Sequence, residues 1–112
     1  MQIDIKRYEL ERYVMSLLLW NYENIHMTHD KEIFKNPRFK IIHDAMKIIY
    51  GSKEIRKFSQ ADFTMTLINY LDMSNKIEDV GGISQILGLQ TELPKEDTQK
   101  KLILAIKKLK DY

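Results

Sequence analysis

The sequence predicts an all-α fold, a compact orthogonal bundle of five or six helices. Three observations predict it. Apolar residues recur at helical spacing in each long segment. The breaks between segments carry helix-start or helix-stop chemistry: Asn36-Pro37, Gly51-Ser52, Ser59-Gln60-Ala61-Asp62, Gly81-Gly82 and Leu93-Pro94. No segment alternates apolar and polar residues for more than a few positions, so no sheet is expected. The 112 residues, 44% apolar and 30% charged, fit one domain over residues 1–112. A chain of this size buries roughly 65% of its unfolded surface, enough for a core without staples.

The first helix is expected from Lys6 to about Tyr22. Leu10, Tyr13, Val14, Leu17 and Leu18 follow one stripe, with Glu9, Glu11, Arg12 and Ser16 on other faces. Leu17-Leu18-Leu19-Trp20 is apolar nearly all round, so that end is buried or faces a partner. Residues Asn21 to Lys35 are mixed, with Ile25, Met27 and Ile33, and read as a short helix or turn. Asn36 can cap a helix, and Pro37 at its first position loses no needed hydrogen bond. That helix runs to about Tyr50 and buries Phe39, Ile42, Ala45, Met46 and Ile49, with Gly51-Ser52 as a C-terminal cap.

Ser59 and Asp62 have the spacing of a capping box, opening a helix to about Leu71 that buries Phe63, Leu67 and Leu71. Asp72 to Val80 is a polar connector. Gly81-Gly82 breaks the backbone and permits close helix approach, then opens a two-turn helix to about Leu89. The last helix, from about Lys95 to Lys110, carries Leu102, Ala105, Ile106 and Leu109 on one stripe. Several of these helices are too short to be stable alone and must pack on each other.

The chemistry of common enzymes is missing. A phosphate loop needs Gly, four residues and Gly-Lys-Ser/Thr; here Gly82 and Gly88 are separated by five residues and Leu89-Gln90 follows. There is no Gly-x-Ser-x-Gly elbow, and with no cysteine there is neither a thiol nucleophile nor a disulfide. Glu23, His26, His29 and Asp30 are suitable zinc ligands, and the first three would share a helix face at intervals of three, but the wider zinc patterns are absent and a solvated polar stretch explains them. No catalytic, cofactor-binding or metal residue is assigned, and the chain alone is expected not to be an enzyme.

Binding residues are better candidates. Trp20, Tyr22, Tyr8, Tyr13, Tyr50 and Tyr70 are many rings for a small helical domain; most could simply be core, but interfaces favour such residues, and two or more of them at an interface is the alternative. His43 sits mid-helix, at the surface, half-buried, or in contact with a partner. Lys100, Lys101, Lys107 and Lys108 fall largely opposite the last apolar stripe, as a solvated face or as a contact for phosphates or an acidic protein. The net charge of +2 is too small to argue for nucleic acid by itself. No run approaches the roughly 18 apolar residues of a membrane span, and the start lacks the order of a signal peptide, so a cytoplasmic protein without membrane contact is expected.

Six pieces in order resemble the N-terminal domain of DnaB-type replicative helicases. Leu10-Glu11-Arg12-Tyr13-Val14-Met15-Ser16-Leu17-Leu18-Leu19 looks like its opening helix, and Phe34, Arg38, Ile42 and Ala45 fall where it has a Phe and an Arg-containing helix start. Leu67 matches a leucine of its capped helix. Ile77-Glu78-Asp79-Val80-Gly81-Gly82 is similar to its acidic-then-Gly-Gly element, and Pro94 precedes the final helix. The chain departs from the family at Gln85-Ile86, where Tyr-Leu is common, and at Lys95-Glu96-Asp97-Thr98, which replaces an Asn-rich loop.

The resemblance implies a DNA-replication role as a non-catalytic collar that oligomerises, as a dimer or higher, and docks primase or a helicase loader, contacting DNA only indirectly. Trp20, Tyr22, Arg38, His43, Gly81 and Gly82 are then the expected partner-binding residues. Lys100, Lys101, Lys107 and Lys108 are the candidates for nucleic-acid contact. ATP and Mg would belong to the ATPase domain of a full-length helicase, of which this chain would be a fragment, an isolated domain or a small stand-alone relative. The primase C-terminal helicase-binding domain has a related fold. The alternative is a small helical DNA-binding or regulatory protein, including a phage replication factor acting on the collar.

Overall fold

A computed structural model describes residues 5–28, 32–51, 59–91 and 96–111. Among the described residues five α-helices follow one another: α1 (Ile5–Trp20), α2 (Pro37–Tyr50), α3 (Gln60–Met73), α4 (Ile83–Thr91) and α5 (Thr98–Lys110). Two 3-10 turns, Tyr22–Met27 and Glu78–Val80, precede α2 and α4 respectively. The described residues contain no strand. The radius of gyration is 13.3 Å, close to the value of about 13 Å for a compact chain of this length.

The helix starts follow the local chemistry. Asn36 Oδ1 accepts the Arg38 amide at 3.0 Å, and Pro37 occupies the first turn. Ser59 Oγ accepts the Asp62 amide at 3.2 Å while the Asp62 carboxylate accepts the Ser59 amide at 3.4 Å, completing the capping box. Asn21 Oδ1 accepts the Glu23 amide and so opens the first 3-10 turn.

The stops are less direct. Gly51 does not use a left-handed cap; its φ is −69° and its amide donates to the carbonyl of Lys47. Ser52 lies outside the described residues, as do Leu93, Pro94 and Lys95. The polar connector after α3 is structured. Asn75 takes φ 59°, and the amides of Asn75 and Lys76 return to the carbonyls of Asp72 and Leu71, the Schellman pattern that uses up orphan carbonyls. Val80 in the following turn is fully buried.

Helix α1 is the centre of the molecule. It packs on α5, α4, the first 3-10 turn and α2, while α2 packs on α3 and on both 3-10 turns. The expected stripe on α1 holds but is too narrow: Val14, Leu17 and Leu18 are buried and Leu10 and Tyr13 pack partly covered against the core, yet Glu11 and Ser16, assigned to other faces, are buried as well. A helix packed on several sides keeps only part of its polar face in water, here Lys6 and Glu9. The expected stripes of α2, α3 and α5 do hold, since every residue assigned to them is buried.

Burying Glu11 requires compensation. Its Oε2 accepts from Arg7 Nε at 3.0 Å, and its Oε1 accepts the amides of Lys35 at 2.7 Å and Asn36 at 3.0 Å. The same guanidinium donates to the carbonyls of Ile33 at 3.1 Å and Leu109 at 3.4 Å. One ion pair on α1 thus holds the segment leading into α2 and the end of α5. A second polar clamp is Gln60: its amide group donates to the Leu19 carbonyl, and its Oε1 accepts the Tyr22 amide at 3.0 Å. This joins the start of α3 to the end of α1.

Glu11→Ala leaves the Arg7 charge and two backbone amides without their partner. It should destabilise the fold by about 3–5 kcal/mol, with Glu11→Gln intermediate because its amide oxygen still accepts. Urea unfolding of the three proteins checks this; a loss under about 1 kcal/mol for Glu11→Ala would show that water replaces the carboxylate.

Candidate protein-docking surface

The expected partner-binding residues divide into three places. Tyr22 and His43 are interior: Tyr22 takes the core position rather than the interface one, and His43 is buried rather than at the surface or half-buried as expected. Tyr22 stacks on Phe63 at 4.3 Å between centroids and meets Tyr50 edge-on at 6.3 Å. Burial, followed by the nearby charge of Glu23 and by Tyr50, pushes its hydroxyl above the usual tyrosine range. His43 is 3% exposed and lies edge-on to Phe34. Its Nε2 is 2.9 Å from Thr28 Oγ1, whose own proton goes to the Ile25 carbonyl at 3.0 Å. Thr28 then accepts, which puts the imidazole proton on Nε2. These two rings build the core beneath a surface rather than the surface itself.

Trp20 is half-buried at the end of α1. Arg38, Gly81 and Gly82 come together elsewhere. Arg38 is exposed in the first turn of α2, and the Glu78–Val80 turn packs against that helix. Gly81 and Gly82 both have positive φ, 96° and 85°. Their amides return to the carbonyls of Glu78 and Ile77, ending the 3-10 turn and turning the chain into α4. A Cβ on Gly81 would lie 3.2 Å from the Gln85 side chain and 3.3 Å from Arg38 Nη1. Gly81 thus lets the guanidinium lie against the chain, while Gly82 has open space. The adjacent carboxylates of Glu78 and Asp79 are exposed, giving a mixed-charge polar surface.

The basic candidates form a different face. Lys100, Lys107 and Lys108 are exposed and Lys101 is half-buried on α5. Sequence reasoning missed what lies between them: Ile103 and Leu104 are 52% and 54% exposed. Leu104 shares a groove with Leu10 and Tyr13 of α1, edged by Lys101 and Lys108. The groove continues toward Lys6, Glu9 and Asp111. The available signal was that both apolar residues fall on the lysine side of the α5 wheel, off the buried stripe.

His26 of the zinc candidates is exposed, with its Nδ1 against the Glu23 carbonyl, while His29 and Asp30 lie outside the described residues. Among the described residues no group of three His, Asp or Glu could hold a metal, and no helix is long and apolar enough to cross a membrane.

Gly81→Ala should cost about 1–2 kcal/mol for its left-handed backbone plus the displacement of Gln85 and Arg38, and Gly82→Ala about 1 kcal/mol for the backbone alone. Denaturant midpoints measure both. Equal losses would mean that Arg38 and Gln85 move aside freely.

Helix order, the Gly81-Gly82 turn under Arg38 and the all-α core now stand beside the known families. A protein-family model described as the DnaB-like helicase N-terminal domain matches residues 4–108. Comparison with the curated proteins and with the solved structures gives no match. The matched span runs from before α1 to within α5 and so takes in each described helix. The chain belongs to the DnaB-like helicase N-terminal domain family.

Proposed function

We propose that this chain is a collar domain of a replicative DNA helicase, which self-associates and docks primase or a helicase loader during DNA replication. The observation that carries the reading is the family match over residues 4–108. That domain is the non-catalytic part of such helicases, and ATP and Mg²⁺ would act in a separate ATPase domain. The partner contacts proposed here are the half-buried Trp20 and the Arg38, Gly81 and Gly82 surface. Tyr22 and His43 would act through them, by holding the first 3-10 turn and α2 in place. Work in the cytoplasm, with DNA contacted only through the partners, follows from the same reading.

A second reading has one observation in its favour. No ion pair among the described residues occupies Lys100, Lys101, Lys107 or Lys108, so those charges are available to phosphates in a small DNA-binding or regulatory protein. Sedimentation of the chain over a range of concentrations, alone and with the cognate primase or loader, separates the two. The collar reading predicts self-association or a primase or loader complex, weakened by Trp20→Ala or Arg38→Ala. A monomer that ignores both proteins yet binds duplex DNA, with affinity falling steeply as salt rises, would favour the second reading and contradict the first.

A further inference from the structure

The groove between α1 and α5 has no part in the contacts proposed above, and its composition points to a particular kind of occupant. Leu104 is exposed at the middle of α5. Lys100 and Lys101 stand four and three residues before it, and Lys107 and Lys108 three and four after it, so all four surround it on one helix face. Leu10 and Tyr13 continue the apolar floor on the neighbouring helix, and Ala105 lies beside Leu104 on α5. Such a floor between two packed helices accepts the apolar ridge of a third helix, and the lysines around it select acidic neighbours on that helix.

We propose that this groove docks an acidic amphipathic helix of a partner protein, with leucine-type anchors over Leu10, Tyr13 and Leu104 and carboxylates over Lys100, Lys101, Lys107 and Lys108. The proposal rests on the reading of the domain as a docking module and names the chemistry of one partner. Duplex DNA fits less well. A phosphate backbone would desolvate Leu104 and Leu10 without supplying an apolar contact, and Glu9 and Asp111 at the Lys6 end of the groove repel phosphates. The same two carboxylates direct the partner's acidic residues toward the Lys101 side.

The test titrates a synthetic four-turn peptide into the isotope-labelled full chain and follows amide shifts. The peptide carries Leu at i, i+4 and i+7 and Glu on its remaining faces. Shifts are expected at Tyr13, Lys101, Leu104 and Lys108, and not with a peptide of the same composition whose leucines are scrambled. Leu104→Asp should weaken binding at least about tenfold, with an unchanged melting curve because the side chain is already exposed. Lys101→Glu with Lys108→Glu should do the same from the charge side.

Four results would overturn the proposal: no binding, equal binding of the scrambled peptide, tighter binding of a duplex oligonucleotide at the same residues, or a change in self-association caused by Leu104→Asp. The last would make the groove a contact between copies of the chain. Sedimentation with primase or loader is read separately, so failure of the groove leaves the collar reading standing.

Discussion

A buried carboxylate on the central helix determines how the other parts meet. Glu11 is 2% exposed in the middle of an otherwise apolar neighbourhood. Isolated, such a charge would oppose folding by several kcal/mol. It is tolerated because every partner is brought to it: Arg7 from the preceding turn of α1, and two amides from the residues that lead into α2. Arg7 then reaches the last turn of α5 and the Ile33 carbonyl. The pair contributes little as attraction alone. Its consequence is specificity of arrangement, because a shift of α2 or α5 along α1 would strand a charge. The aromatic contacts depend on that placement, since Tyr8 stacks on Phe39 at 5.5 Å only where α1 and α2 are held in this register.

Around this anchor the chain uses its polar residues at junctions. Gln60 joins α3 to the end of α1. Asn24 donates to Thr98 at 3.4 Å, tying the first 3-10 turn to the start of α5. Thr28 and His43 join that turn to α2. Gln60 and Thr28 also take up backbone groups at the ends of α1 and the first 3-10 turn, whereas the Asn24–Thr98 and Thr28–His43 bonds run between side chains. Ser16 is the exception. It is buried, and among the described residues its hydroxyl has no partner; nothing in the structure explains it.

The legible parts of the fold were those fixed by local chemistry. The start of α2 was readable to the residue because Asn36-Pro37 leaves one way to begin the helix, and its end was placed at about Tyr50. The Ser59–Asp62 box opened α3 as expected, and Gly81-Gly82 marked a turn that needs two positive φ values. What the sequence hid depends on neighbours far along the chain. Glu11 reads as a surface residue until Lys35 and Asn36 are brought to it, 24 and 25 residues away. Tyr22 reads as an interface ring until Phe63 covers it. Leu104 lies outside the last apolar stripe and has no assigned role until Leu10 and Tyr13 complete its groove. Membership of the DnaB-like helicase N-terminal domain family was legible for the opposite reason, since it rests on the order of locally specified elements.

The docking role proposed for this domain needs helices held in fixed register, and that register is assigned to the Arg7–Glu11 pair. Hydrogen exchange at the amides of Lys35 and Asn36 tests this most directly. Neither amide lies within a helix ladder, and each donates to the Glu11 carboxylate. If the pair anchors the fold, both should exchange nearly as slowly as the best-protected amides of α1, through global unfolding alone. Exchange at the rate of an exposed loop, with α1 still protected, would show that the segment opens freely and would contradict the account.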